Sequence, residues 1–217
     1  MKQVAIIFSG CGVFDGAEIH ESVLTMLHLE QQNIAYRCFA PNIDQHHVIN
    51  HITGEEQAES RNVLTEAARI ARGDITDLAQ LNVDEFAALV IPGGFGVAKN
   101  LSDFAFKGAE SQVLDSLKSV CQQFNAQNKP ITYLCIAPAL IGHIHQTGTK
   151  ATIGNDADTA AAVNALGATH IDCAVTDIVV DEQQKVISTP AYMLASNISE
   201  ASAGIEKAIA RLAQLIA

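Results

Sequence analysis

One cysteine in this sequence stands where its thiol could act as a nucleophile. In Tyr133-Leu134-Cys135-Ile136-Ala137-Pro138 a strand-like run passes into a helix-like run with almost no loop, and Cys135 sits at the junction. A residue on such a turn is strained and lifted above the sheet, and the amides of the following helix point at it. That setting predicts a thiol of lowered pKa. Position alone leaves a second possibility open, a small apolar residue ending a buried strand. Two other stretches deliver unusual residues to what would be the same sheet edge. Ser9-Gly10-Cys11-Gly12-Val13-Phe14-Asp15-Gly16 leaves a first strand and leads through Ala17-Glu18-Ile19-His20-Glu21 into a helix. Pro92-Gly93-Gly94-Phe95-Gly96 follows the apolar run ending at Ile91. Glycines at 93 and 94 suit a close approach of backbone to ligand, and plain turn geometry as well.

The elements that must position these residues alternate between short apolar strands and longer helical periods, the pattern of a parallel sheet covered on both faces. Strands are predicted over Val4–Phe8, Ala35–Phe39, Ala88–Ile91 and Ile131–Leu134, and helices over 18–32, 59–72, 109–127, 137–145, 157–166 and 198–216. Asp181-Glu182-Gln183-Gln184 links Ile178–Val180 to Lys185–Ser188, which predicts a terminal antiparallel hairpin. No repeat or Pro/Gly/Ser-rich linker breaks the 217 residues, so one domain over 1–217 is expected.

Composition narrows the function classes. Apolar residues make up 48% and aromatics 5%, as a core of small aliphatic residues requires. A formal charge of −11, without a local basic cluster, disfavours nucleic acid and anionic membranes as partners. Five cysteines with no CxxC pair speak for reduced thiols and against a disulfide scaffold or structural zinc. With the first strand-like run beginning at Gln3 and no apolar run of spanning length, the reading is a cytoplasmic protein.

Taken together, Ala17–Glu21, Pro92–Gly96 and Leu134-Cys135-Ile136-Ala137-Pro138-Ala139 resemble the ThiJ/PfpI superfamily, which shares its architecture with class I glutamine amidotransferase domains. Ser9–Val13, Asn62-Val63-Leu64, Ala98–Leu101 and Thr189–Leu194 are similar to its bacterial ElbB subfamily, named for isoprenoid biosynthesis and described as glyoxalases. The resemblance implies a flavodoxin-like three-layer sandwich with a nucleophile elbow, and a homodimer as in common relatives of the fold. It places the nucleophile on Cys135, its acidic partner on Glu21, and oxyanion-binding amides on Gly94 and Ile136. Cys11, Glu18, His20 and Asn155 are possible pocket residues, with Ser9, Phe14, Asp15 and Phe95 as plausible neighbours. Of the two acids one helical turn apart, Glu18 is the better candidate for a solvated helix carboxylate.

The departures from the superfamily count equally. Hydrolytic relatives place a His after the nucleophile, where this chain has Ile136, and the amidotransferase His-Pro-Glu run is matched here by Thr189-Pro190-Ala191. Protease and glutaminase chemistry lose their proton shuttle. What remains suits a small α-oxoaldehyde: Cys135 adds to the aldehyde, Gly94 and Ile136 bind the alkoxide, Glu21 moves a proton between the carbons, and water releases glycolate or lactate. That scheme requires no cofactor and no metal. His46, His47 and His51 have a possible metal spacing on a helix but lack a completing ligand; His143 and His145 read as solvent-facing or interhelical. The competing reading is a non-catalytic redox-responsive or chaperone-like protein oxidised at Cys135.

Overall fold

The computed structural model describes residues 2–217. Its strands are β1 (Gln3–Ile7), β2 (Ala35–Ala40), β3 (Ile75–Asp77), β4 (Ala88–Ile91), β5 (Ile131–Leu134), β6 (Lys150–Ala151), β7 (Thr169–His170), β8 (Val179–Asp181) and β9 (Val186–Thr189). Seven of them form one sheet in the order β3-β2-β1-β4-β5-β9-β8. All pairings in it are parallel except β8 with β9, the predicted hairpin. This is a flavodoxin-like α/β fold.

Alternation along each buried strand sends successive side chains to two different cores. Ala5, Ile7, Leu89, Ile91, Ile131 and Tyr133 face one core, closed by Leu117, Val120 and Phe124 of α5 (Asp115–Ala126) and Val163 of α7 (Ala157–Ala165). Val4, Ile6, Val90, Leu134 and Ile187 face the other. There α1 (Ile19–Gln31), α2 (Val63–Ile70) and α8 (Ile198–Leu215) cover the sheet, with Ala201, Ile205, Ala208, Ile209 and Leu212 forming the buried stripe of α8. No helix of the described residues is long and apolar enough to cross a membrane.

The helix expected over 137–145 differs in kind. It begins as a 3-10 turn, Ala137–Leu140, and continues as only one α-turn, α6 (Ile141–Ile144). Short α3 (Phe95–Lys99) and α4 (Phe104–Lys107) were not legible in the pattern, nor were β3, β6 and β7, each two or three residues long. Residues 41–62, where a helical histidine spacing was considered, form no helix. The chain runs outward one way through β1, β2 and β3 and the other way from β4, so the strand order reverses between β1 and β4. A crevice beyond the carboxyl ends of the strands at such a reversal is where ligands bind in open α/β sheets.

Candidate functional site

Three neighbouring strands, β4, β5 and β9, end beneath one another and contribute one turn each to this crevice. After β5 comes Cys135, in the left-handed region at φ 58°, its amide donating to the Thr189 carbonyl at 3.0 Å. After β4 comes Gly93, whose N–H donates to Glu21 Oε2 at 2.8 Å. After β9 comes Tyr192, whose N–H donates to Glu21 Oε1 at 3.1 Å. Glu21, fully buried in the first turn of α1, is thus held through both carboxyl oxygens and hydrogen-bonds the Cys135 thiol.

Gly93 is what allows the two to meet. A Cβ on it would lie 2.4 Å from Cys135 Cβ, 3.0 Å from Cys135 Sγ and 2.8 Å from Glu21 Oε2. Gly94, at φ 98°, is needed twice over, because a Cβ there would lie 2.4 Å from both the Glu18 nitrogen and the Gly16 oxygen. The amides of Gly94 and Ile136 both donate to Cys135 Sγ. Sulfur, carboxyl and two backbone donors therefore converge on one point.

The electrostatics correct one expectation. Burial, and after it the Glu21 charge, push the Cys135 thiol well above its ordinary range, with the two amides opposing only in part. The lowering expected from a following helix is not there, because a 3-10 turn with a single α-turn behind it carries little macrodipole. Glu21 is pushed up to about 7, first by burial and then by the neighbouring Glu18 charge, against the two amide bonds and the thiol. The proton of the pair rests on sulfur, and the carboxylate is the base that faces it.

Beside the thiol lies a cavity of about 280 Å³. Val13, Phe95, Ala98, Phe104, Ile136 and Met193 supply apolar walls, while Glu18, Thr159 and Tyr192 are its polar members. Glu18 is not a solvated helix carboxylate. It caps α1, accepting from the Glu21 amide at 2.6 Å, and lines the cavity at 8% exposure. His20 is exposed at the surface, bonded through Nδ1 to the Tyr192 hydroxyl at 2.9 Å, and does not line the cavity.

Cys11 and Asn155 also lie outside the lining. Cys11 sits within the field of Glu66 and Arg69 at α2, and burial raises its thiol. Asn155 is exposed in the turn before α7, which presents Thr159 to the cavity instead. Ser9 and Asp15 are buried beneath the glycine-rich loop, where Asp15 Oδ2 accepts from the Ile49 amide at 2.7 Å. Phe14 is exposed and stacks on His51. His145 is buried rather than solvent-facing, its Nε2 paired with the Tyr133 hydroxyl at 2.9 Å, and burial lowers it to about 4. His46 and His47 pack on Phe106.

Tyr192, Met193, Phe104 and Thr159 were not singled out as site residues from sequence. Thr189–Leu194 stood out only as a motif, and what it supplies is a main-chain amide, which residue type does not encode. A positive φ at Ala191 (44°) aims that amide at Glu21.

A strained cysteine elbow at the switch of a flavodoxin-like sheet defines a protein of the class I glutamine amidotransferase-like type. Comparison with family models gives no match. Individual proteins do match: the chain is 43% identical over 223 residues to the mitochondrial ES1 protein homolog of Rattus norvegicus, covering 98% of this chain and 84% of that one. It is 42% identical to the mitochondrial glutamine amidotransferase-like class 1 domain-containing protein 3 of Homo sapiens, covering 98% and 83%. A solved structure of an isoprenoid biosynthesis protein with an amidotransferase-like domain, from Ehrlichia chaffeensis, superposes with a TM-score of 0.94 at 37% identity over 100% of both chains. A DJ-1 superfamily protein of Salmonella typhimurium shares the fold at a TM-score of 0.55 and 18% identity, over 93% of this chain and 84% of that one. The chain belongs to the ES1 and ElbB-like family of glutamine amidotransferase-like class 1 proteins, within the ThiJ/PfpI superfamily.

These relatives overturn the expectation of a cytoplasmic protein, since the rat and human proteins, and an ES1 protein of Danio rerio at 33% identity, are all named mitochondrial. The physical reason is simple: a low net charge and an early first strand describe a fold, and compartment is not a property of the fold.

Proposed function

We propose that the protein converts α-oxoaldehydes to α-hydroxy acids without glutathione, by covalent chemistry at Cys135. The observation that carries this reading is the contact of the Cys135 thiol with a buried carboxyl of pKa about 7, with two amides aimed at the same sulfur. In the reaction the Glu21 carboxylate takes the thiol proton as sulfur attacks the aldehyde carbon, forming a C–S bond. The amides of Gly94 and Ile136 stabilise the alkoxide, which is protonated to the hemithioacetal. Glu21 then removes the proton on that carbon and delivers one to the adjacent carbon, giving a 2-hydroxyacyl thioester. Water cleaves the thioester to the hydroxy acid and restores the thiol. The sum is one aldehyde plus one water, with no external oxidant or reductant. A carboxyl near 7 can give and take a proton at neutral pH, as this sequence of steps demands. Ile136 and Thr189-Pro190-Ala191 occupy the positions where hydrolytic relatives carry their imidazole, which speaks against protease or glutaminase activity.

The test is lactate release from methylglyoxal by purified protein, with Glu21→Gln alongside. Loss of about 100-fold or more in kcat with the fold intact is expected, and an unimpaired variant removes Glu21 from the mechanism. The redox-responsive reading draws less support from this site, because a thiol that is 8% exposed and raised above its ordinary range is a poor target for peroxide. Peroxide-dependent sulfinic acid at Cys135 in a protein without turnover would reverse that preference.

A further inference from the structure

The cavity beside Cys135 does not fit a two-carbon dialdehyde. Glyoxal has four heavy atoms and fills the space of two or three waters, about 60–90 Å³ at liquid density. The cavity offers about 280 Å³, close to the lower bound of about 300 Å³ for pockets that hold drug-sized ligands. Its walls are apolar where they face away from the sulfur. Val13 enters from the glycine-rich loop, Phe95 and Ala98 from α3, Phe104 from α4, and Met193 from the turn after β9. Five separate segments thus contribute apolar surface to a space the reacting carbons would leave vacant, and such a space is best filled by an apolar group.

Charge narrows the occupant further. Glu18 stands in the cavity wall, with Oε2 engaged by the Glu21 amide and Oε1 no nearer to a cation than 3.9 Å from His20. With Glu21 it makes two carboxyl groups at one end of the site, and neither Lys nor Arg lines the cavity. A second carboxylate brought in on the substrate would meet repulsion with no countercharge.

We infer that the preferred substrates are uncharged α-oxoaldehydes whose second carbonyl carries an apolar group about the size of a phenyl ring or a branched alkyl chain. The inference rests on the function proposed above and extends it to a substrate class. The same geometry favours release of the product, whose new carboxylate forms next to Glu18 and Glu21.

Two measurements test it separately from the chemistry. In the Cys135→Ser protein, binding of acetophenone and acetone is followed by NMR shift perturbation. Extra burial of a phenyl ring is expected to tighten acetophenone about 10- to 50-fold over acetone, and 4-acetylbenzoate is expected to bind more weakly than acetophenone. In the wild-type protein, kcat/KM for phenylglyoxal is expected to exceed that for glyoxal by a similar factor. Replacing Ala105 at the cavity wall by Phe should bring both ratios toward one. Equal binding of the two ketones, or glyoxal turned over as well as phenylglyoxal, overturns the substrate class and leaves the proposed function standing. Turnover of neither aldehyde overturns the proposed function, and the substrate assignment with it, whatever the ketones do.

Discussion

Replacing Glu21 by Gln should invert the usual effect of losing a buried group, and pH controls the inversion. The Glu21 carboxyl is raised from 4.5 to about 7 in the folded protein, mainly by burial. Below pH 4.5 it is protonated in folded and unfolded chains alike, and its contribution is fully present. Between 4.5 and about 7 the unfolded chain ionises while the folded one keeps its proton, so wild-type stability falls by up to about 3 kcal/mol across this window. Glutamine does not ionise and lacks this slope. It carries a constant loss instead: the Gly93 and Tyr192 amides donate to the two carboxyl oxygens, and one of them would face an NH₂ group, at a cost of about 1–3 kcal/mol. His145, lowered by burial to about 4, titrates in an overlapping window with the opposite sign. It is present in both proteins and cancels in the difference. Urea denaturation from pH 4.5 to 8 should show the variant less stable than wild type at the acid end and equal or more stable at pH 8. A stability difference constant to within about 0.5 kcal/mol over that range would refute a carboxyl held near 7.

Other outcomes follow from the same geometry. If the Glu21 carboxylate takes the thiol proton, kcat/KM for glyoxal rises with pH and levels off above an inflection near 7; a profile flat from pH 5 to 9 contradicts it. Gly93→Ala puts a methyl group 2.4 Å from Cys135 Cβ, so a loss of about 1–3 kcal/mol in urea titration and loss of turnover are expected, whereas wild-type values for both would show that the elbow can yield. Tyr133→Phe removes the partner of His145 Nε2 in a site where Nδ1 already has none. Denaturation should register about 1–3 kcal/mol of destabilisation, and an unchanged midpoint would mean the pair contributes nothing.

The fold was legible because its period-two and 3.6-residue patterns are carried by long apolar runs, as in β1, β4, β5 and α8. Elements of two to five residues, such as β3, β6, β7 and α4, were not, since no period can establish itself over so few positions. In the site, Cys135 and Glu21 were named from sequence and the structure brings them together, as it does the amides of Gly94 and Ile136. Cys11, His20 and Asn155 lie on the right segments but point elsewhere, and a side chain's direction is set by packing that composition does not record. The Tyr192 amide and the walls from Phe104 and Thr159 belong to the same category. The sign of the Cys135 shift was misjudged for a physical reason: a full helix dipole was assumed where one 3-10 turn and one α-turn follow, and the adjoining carboxylate was given too little weight.

The central claim is that Cys135 is the covalent centre of α-oxoaldehyde conversion. Its most direct test is glycolate formation from glyoxal by the purified protein, with neither glutathione nor metal added, beside a Cys135→Ser variant. The account expects turnover in the wild-type protein and none above the uncatalysed rate in the variant. Equal glycolate formation by both, or none by either, would contradict it.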